Sequence, residues 1–246
     1  MSNSNKSKKP ILTIGIPCHR DVDPTWAYQF KLLRIPEQFE GYRLLMPRGM
    51  PVDEARNYIV DNSTSDYIFF LDSDVLPPAD TIERLMKHDK DVVTGLYFQR
   101  NPPFWPHLYK KSEAPGLWDS ITHYDERKNE KGEREYLIQV DSAGMGCCLI
   151  KREVFDKIGT VDENKPRPWF KFTTGWTEQT RESEDHYFFR RCSEEGIKVY
   201  ADTSIVCGHI DRDIVMEKHW LAMREDAFSR NKPRMPAPSD EPNIIR

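Results

Sequence analysis

The sequence predicts an α/β fold, a three-layer α/β/α sandwich built around a mostly parallel central sheet. Three observations carry that expectation. Between residues 11 and 98, short apolar runs alternate with amphipathic segments in the order strand, helix, strand, helix, strand, helix, strand. Tyr67-Ile68-Phe69-Phe70-Leu71 is an apolar run with no polar break, which is how a strand covered by helices on both faces reads. At 246 residues the chain is also long enough to bury a substantial core.

The elements follow in order. Ile11 to Ile16 is β-branched and apolar on both faces, a buried strand ending at Pro17. Trp26 to Ile35 has apolar residues at helical spacing, with Asp23 as its cap and Pro24 in its first turn. Tyr42 to Met46 reads as a second strand and Val52 to Val60 as a second helix, with Ala55, Ile59 and Val60 on one face. The Tyr67–Leu71 run is taken as the central strand, Pro78 to His88 as the next helix and Asp91 to Phe98 as the next strand. The charged run Asp125 to Glu135, with Gly132 inside it, reads as a solvated hairpin tip. Cys147 to Ile150 is a strand, Arg152 to Ile158 a helix closed by Gly159, and Glu184 to Glu195 an amphipathic helix stopped by Gly196. Lys198 to Ala201 and Ile205 to Ile210 are late strands, and Asp213 to Ser229 is a closing helix.

Composition frames this as one domain over residues 11–230 between two polar tails, 1–10 and 231–246, the latter carrying four prolines. Hydrophobic residues make up 38%, charged residues 31%, and the net charge is −4, so the chain has no basic excess that would mark nucleic acid as its main partner. No stretch reaches the roughly 20 apolar residues of a spanning helix, so no integral membrane segment is expected. The N-terminus lacks the apolar centre of a secretory signal, and the five cysteines form no paired framework, which together predict a cytoplasmic protein. Neither C-x-x-C nor H-x-x-x-H spacing occurs, which argues against zinc.

In an open α/β sheet, ligands bind beyond the carboxyl ends of the strands. Asp72-Ser73-Asp74 stands there, directly after the apolar run. Two residues apart in an extended chain, the two carboxylates point the same way and repel, and a divalent cation would relieve the repulsion. Mg²⁺ and Mn²⁺ prefer oxygen ligands and commonly combine one or two carboxylates with substrate phosphates. The tripeptide alone would also suit an ordinary turn. The buried strand before it and Pro77-Pro78 after it favour the metal reading.

Ala55-Arg56-Asn57, Asp66 through Asp74, Gly144-Met145-Gly146 before a strand, Lys151 to Phe155, and Glu184-Asp185 opening a helix together resemble the GT-A-fold glycosyltransferases, above all the inverting family 2 type. The resemblance spans most of residues 11–210. It implies a GT-A-like sandwich with a Rossmann-like nucleotide-binding half and an acceptor half. It also implies a nucleoside-diphosphate sugar donor, UDP-sugar by default, a hexosyl transfer, and Mn²⁺ or Mg²⁺ as cofactor.

By that resemblance Asp74 is a direct metal ligand, and Asp72 contacts the ribose or the metal's water. His209 is a later ligand whose nitrogen tilts preference toward Mn²⁺; it could equally be a hydrogen-bonded histidine at a strand end. Asp185 is the candidate general base for the acceptor hydroxyl, with Glu184 as a second catalytic carboxylate that could orient the acceptor, although acids in a helix's first turn also complement its dipole. Pro17, His19 and Arg20 fall where the nucleotide pocket is expected, together with Ser73, and Arg20 or Arg56 could meet the diphosphate. Where many relatives carry an acid at the end of the second strand, this chain has Met46-Pro47-Arg48-Gly49, so the base is left open. Gly144 and Gly146 would let backbone approach the donor sugar, or would serve only as turn glycines. Among Trp105, Trp169, Phe170 and Trp176, the pair Trp169-Phe170 is assigned to acceptor contact, with core packing as the alternative.

Three other functions share parts of this pattern. A sugar-nucleotide nucleotidyltransferase would need a glycine-rich loop after the first strand, and Pro17-Cys18-His19-Arg20 has no glycine. A non-catalytic sugar- or nucleotide-sugar-binding protein would not depend on Asp74 or Asp185 for turnover. A nucleotide-sugar hydrolase would use water in place of an acceptor.

Overall fold

A computed structural model describes residues 9–113, 117–159, 168–173, 182–211 and 214–230, the last six of these by their backbone only. The expected tails therefore lie almost wholly outside the described residues, and so does Trp176. The first half runs β1 (Ile11–Gly15), α1 (Pro24–Leu32), β2 (Gly41–Leu45), α2 (Val52–Asn62), β3 (Tyr67–Leu71), β4 (Val75–Leu76), α3 (Thr81–Lys87) and β5 (Val92–Leu96). The second half runs β6 (Leu108–Lys111), β7 (Trp118–Ser120), β8 (Leu137–Val140), β9 (Ser142–Ala143), β10 (Cys147–Lys151), α4 (Arg152–Ile158), α5 (Glu184–Glu194), β11 (Val199–Val206), β12 (Gly208–Ile210), β13 (Ile214–Val215) and α6 (Glu217–Arg230).

Seven strands form the main sheet in the order β2-β1-β3-β10-β5-β11-β8. β10 runs antiparallel to both β3 and β5, and β8 antiparallel to β11, while the other neighbours are parallel. Five strands thus share one direction. The middle of the sheet is the reversed β10, so β3 is interior but not central. Its apolar run has the expected cause: Ile68 and Phe70 enter one core with residues of α2, α4 and α5, and Phe69 and Leu71 enter the other with residues of α1 and α3. Each fully buried Phe or Leu there contributes roughly 1.5–3 kcal/mol. The two cores on the two faces of one sheet make the three layers.

The helix ends follow local chemistry. Asp23 accepts from the Thr25 amide at 2.7 Å and Pro24 occupies the first helical turn of α1. Gly196 ends α5 with φ +69°, a conformation that glycine adopts without strain. The charged hairpin bridges at Lys128 and Arg134 and turns at Gly132 with φ +78°. The two late strands differ from expectation: β11 is continuous from Val199 to Val206 with a bulge between Asp202 and Val206, and β12 is a separate strand. β12 pairs with β4 so that His209 sits opposite Val75, and the Ile210 amide donates to the Asp74 carbonyl at 2.8 Å. This small sheet brings residue 209 to residue 74. No helix among the described residues is long and apolar enough to cross a membrane.

Candidate active site

The site is assembled where β1 and β3 end and the antiparallel β10 begins. The Asp72 amide donates to the Gly146 carbonyl at 3.0 Å, and Trp26 Nε1 donates to the Asp72 carbonyl at 2.9 Å. The acidic turn is thereby fixed from β10 on one side and α1 on the other. A cavity of about 300 Å³ opens beside it, lined by Pro17, Cys18 and His19 from the end of β1, Met50 and Val52 at the start of α2, and Asp72, Ser73 and Asp74. The residues expected at the nucleotide pocket thus meet, apart from Arg20. Its side chain is exposed, and its carbonyl accepts from Cys18 Sγ at 2.8 Å and Arg48 Nη2 at 3.3 Å. Arg48, at the end of β2, pairs with exposed Asp21 at 2.8 Å.

The two acids face different partners. Arg56 Nη2 donates to Asp72 Oδ1 at 2.9 Å and Oδ2 at 3.2 Å, and Arg56 Nε donates to Glu184 Oε1 at 3.4 Å. The Arg56 side chain is only 2% exposed, and its guanidinium carbon lies 5.6 and 6.0 Å from the Phe70 and Phe170 ring centres. Those rings meet part of the charge of a group whose Nη1 is buried without a hydrogen-bond partner among the described residues. Burial pushes Asp72 above the usual carboxylate range against the pull of Arg56, and it pushes Glu184 up to about 7 with Asp185 adding repulsion.

Four expectations change here. Arg56 is a buried cation joining two acids rather than a diphosphate contact. Glu184 is its partner rather than an available catalytic carboxylate. Asp72 has both oxygens engaged by Arg56, unlike Asp74. Phe170 is 1% exposed, stacks on Phe188 at 4.9 Å and has its backbone held by Asn57, so it belongs to the core and cannot touch an acceptor. Trp169 is also turned inward, with Nε1 donating to the Phe155 carbonyl at 2.9 Å. The two glycines make room for protein: a Cβ on Gly144 would overlap the Tyr97 hydroxyl, and one on Gly146 would stand 2.8 Å from Asp72 Oδ2.

Asp74 faces His209. The His209 ring is 7% exposed, and its Nδ1 lies 2.7 Å from the Phe98 carbonyl. A carbonyl can only accept, so Nδ1 carries a proton, and Nε2 is the nitrogen turned toward Asp74 Oδ2, 3.6 Å away. Burial tends to raise the Asp74 pKa, but His209 and then Arg100 outweigh it and hold the carboxyl below its ordinary value. Among the described residues no three His, Cys, Asp or Glu side chains cluster as a complete metal site. The donors present are one carboxylate and one imidazole.

Asp185 is partly exposed in the first turn of α5. Its Oδ1 accepts from Ser183 Oγ and, at 2.8 Å, from the His186 amide. Beside His209 stands an aromatic pair that sequence reasoning missed. Tyr97 packs against His107 at 4.7 Å and His209 at 5.3 Å, and its hydroxyl accepts from the Gly146 amide at 3.0 Å. Burial holds His107 down at about 4, against the opposing pull of Asp185 and Asp74. Tyr97 and His107 show no motif, because a strand end and a Pro-rich loop supply them separately.

Residues 44–159 match the model of Glycosyl transferase family 2, a segment that contains Asp72, Asp74 and both glycines and stops before Asp185 and His209. No curated protein matches the sequence. Among solved structures, the chain is similar to GalNAc-T7 crystallised with UDP, GalNAc and Mn²⁺, at 14% identity and a TM-score of 0.55, covering 84% of this chain and 45% of that one. It is also similar to A197 from STIV, at 22% identity and a TM-score of 0.49, covering 82% and 86%. The chain spans less than half of the GalNAc-T7 structure, and at this identity the likeness shows the fold alone. The chain is therefore a GT-A-fold protein, and its residues 44–159 are similar to the family 2 glycosyltransferases.

Proposed function

We propose that this protein is an inverting glycosyltransferase that moves a sugar, a hexose by default, from a nucleoside-diphosphate sugar to an acceptor hydroxyl. The observation that carries the reading is the His209 imidazole, held at Nδ1 by the Phe98 carbonyl and turning Nε2 to the Asp74 carboxylate beside an open cavity. Such a pair fits Mn²⁺ or Mg²⁺ if the donor's phosphates complete the ligand set, and the nitrogen favours Mn²⁺. GalNAc-T7, which shares the fold, was crystallised with UDP and Mn²⁺. When bound, the cation supplies Lewis-acid stabilisation of the charge on the departing diphosphate.

The chain's own residues do the rest. Pro17 and His19 border the nucleotide, and Asp72, oriented by Arg56, accepts a hydrogen bond from a ribose hydroxyl. Asp185, with Oδ1 occupied by Ser183 and the His186 amide, uses Oδ2 to take the acceptor's proton. As that proton leaves, the acceptor oxygen bonds to the anomeric carbon and the bond to the diphosphate oxygen breaks.

The test is a panel of nucleotide sugars with and without Mn²⁺, read by calorimetry and by product NMR. The expected result is binding that needs the metal and is lost in Asp74→Asn. Asp185→Asn should keep binding but lose about 10²-fold or more in kcat. A retained anomeric configuration would remove Asp185 as the base of a single displacement.

A further inference from the structure

Asp74 has a second neighbour. Arg100 Nη1 donates to Asp74 Oδ2 at 3.2 Å, the same oxygen that His209 Nε2 faces. The pair is open to water: the Arg100 side chain is 50% exposed and that of Asp74 is 34% exposed. The backbone beneath it is fixed. Phe98 bridges to Pro106, the Gln99 amide donates to the Trp105 carbonyl at 2.8 Å, and the Phe104 amide donates to the Asn101 carbonyl at 2.8 Å. Only the guanidinium arm is loosely held. Residues 98–100 thus supply both the carbonyl that orients His209 and a cation that neutralises Asp74.

Resting on the function proposed above, we infer that Arg100 is a donor-positioning residue that exchanges partners. It neutralises Asp74 until the divalent cation binds, then turns its fork to the diphosphate of the nucleotide donor. Magnitude decides why this arginine can exchange and Arg56 cannot. An exposed ion pair holds its partners by about fivefold at most, so a divalent cation displaces it readily. Breaking a buried pair costs hundreds-fold or more, which fixes Arg56 on Asp72. A guanidinium released beside a diphosphate finds two anionic oxygens matched to its geometry.

The experiment titrates MnCl₂ alone, and then UDP, GDP, CDP, ADP and TDP with Mn²⁺ present, into the wild type, Arg100→Gln and Arg100→Lys. Bound Mn²⁺ is followed by electron paramagnetic resonance and nucleotide by calorimetry. Arg100→Gln should bind Mn²⁺ alone about two- to fivefold more tightly. It should bind the preferred nucleotide with Mn²⁺ about tenfold or more weakly. Arg100→Lys keeps the charge without the fork, so its Mn²⁺ affinity should match wild type while its nucleotide affinity falls in between. If Arg100→Gln leaves nucleotide binding intact, or does not tighten Mn²⁺ binding, the exchange is wrong while the glycosyltransferase reading stands. A wild type that binds neither Mn²⁺ nor any nucleotide overturns both.

Discussion

Asp72 and Asp74 lie two residues apart on one turn, yet they stand in opposite surroundings. Asp72 is committed to Arg56, which is buried between it and Glu184 under the Phe70 and Phe170 rings. Asp74 faces an open cavity, a half-exposed arginine and an imidazole nitrogen. The first environment builds and holds the site; the second leaves a charge available for a ligand. A motif that looks symmetric in sequence is divided between structure and chemistry by what packs against each carboxylate.

The largest effect should come from the buried side of that comparison. Arg56→Met would leave Asp72 and Glu184 buried without their cation and should cost about 3–5 kcal/mol in urea denaturation. A near-neutral result would mean that water already solvates both acids, and the contrast with Asp74 would collapse.

Next is the pH dependence of Glu184. Its pKa rises from 4.5 to about 7 on folding, so between those values the folded state holds the extra proton. Stability from this group is therefore complete below about pH 4.5 and is lost as pH rises toward 7 and beyond, by on the order of 3 kcal/mol at most. Glu184→Gln removes the titration, so the difference between wild type and variant in unfolding free energy should change across pH 5 to 8. His107, with its lowered pKa, titrates in both proteins and cancels in that difference. A difference that stays flat with pH would place Glu184 as an ordinary ionised partner of Arg56.

The smallest effect belongs to the open side. Asp74→Asn should change stability by no more than about 1 kcal/mol, since it removes only partly exposed pairs. A large loss of stability there would show that Asp74, like Asp72, is a structural acid.

Much of the fold was legible because it rests on local patterns. The boundaries of β3, α4 and the start of α5 fall where the apolar runs, Gly159 and Glu184 put them. The place of β3 was not legible, because the reversal of β10 depends on pairing across eighty residues of sequence and leaves no trace in either segment. The late strands were divided in the wrong place, because the bulge in β11 interrupts the apolar pattern without interrupting the strand.

The site was legible in its polar letters and misread in their directions. Asp74, His209 and the Pro17–His19 pocket come together, whereas Arg56, Glu184 and Phe170 turn inward. Residue type signals what a side chain can bind; only packing decides whether it faces water or another side chain. Tyr97, Arg100 and His107 carried no signal at all, since each is an ordinary residue until its neighbours are known.

By itself the sequence determined the layered α/β architecture, the acidic turn at a strand's carboxyl end and the helix opened by Glu184-Asp185. Periodicity and short-range chemistry suffice for these. The tertiary structure alone decided which of the two acids is buried, which nitrogen of His209 faces Asp74 and which arginine is exposed. Those are properties of burial and of hydrogen bonds between residues far apart in the chain, and burial is what turns equal carboxylates into unequal ones.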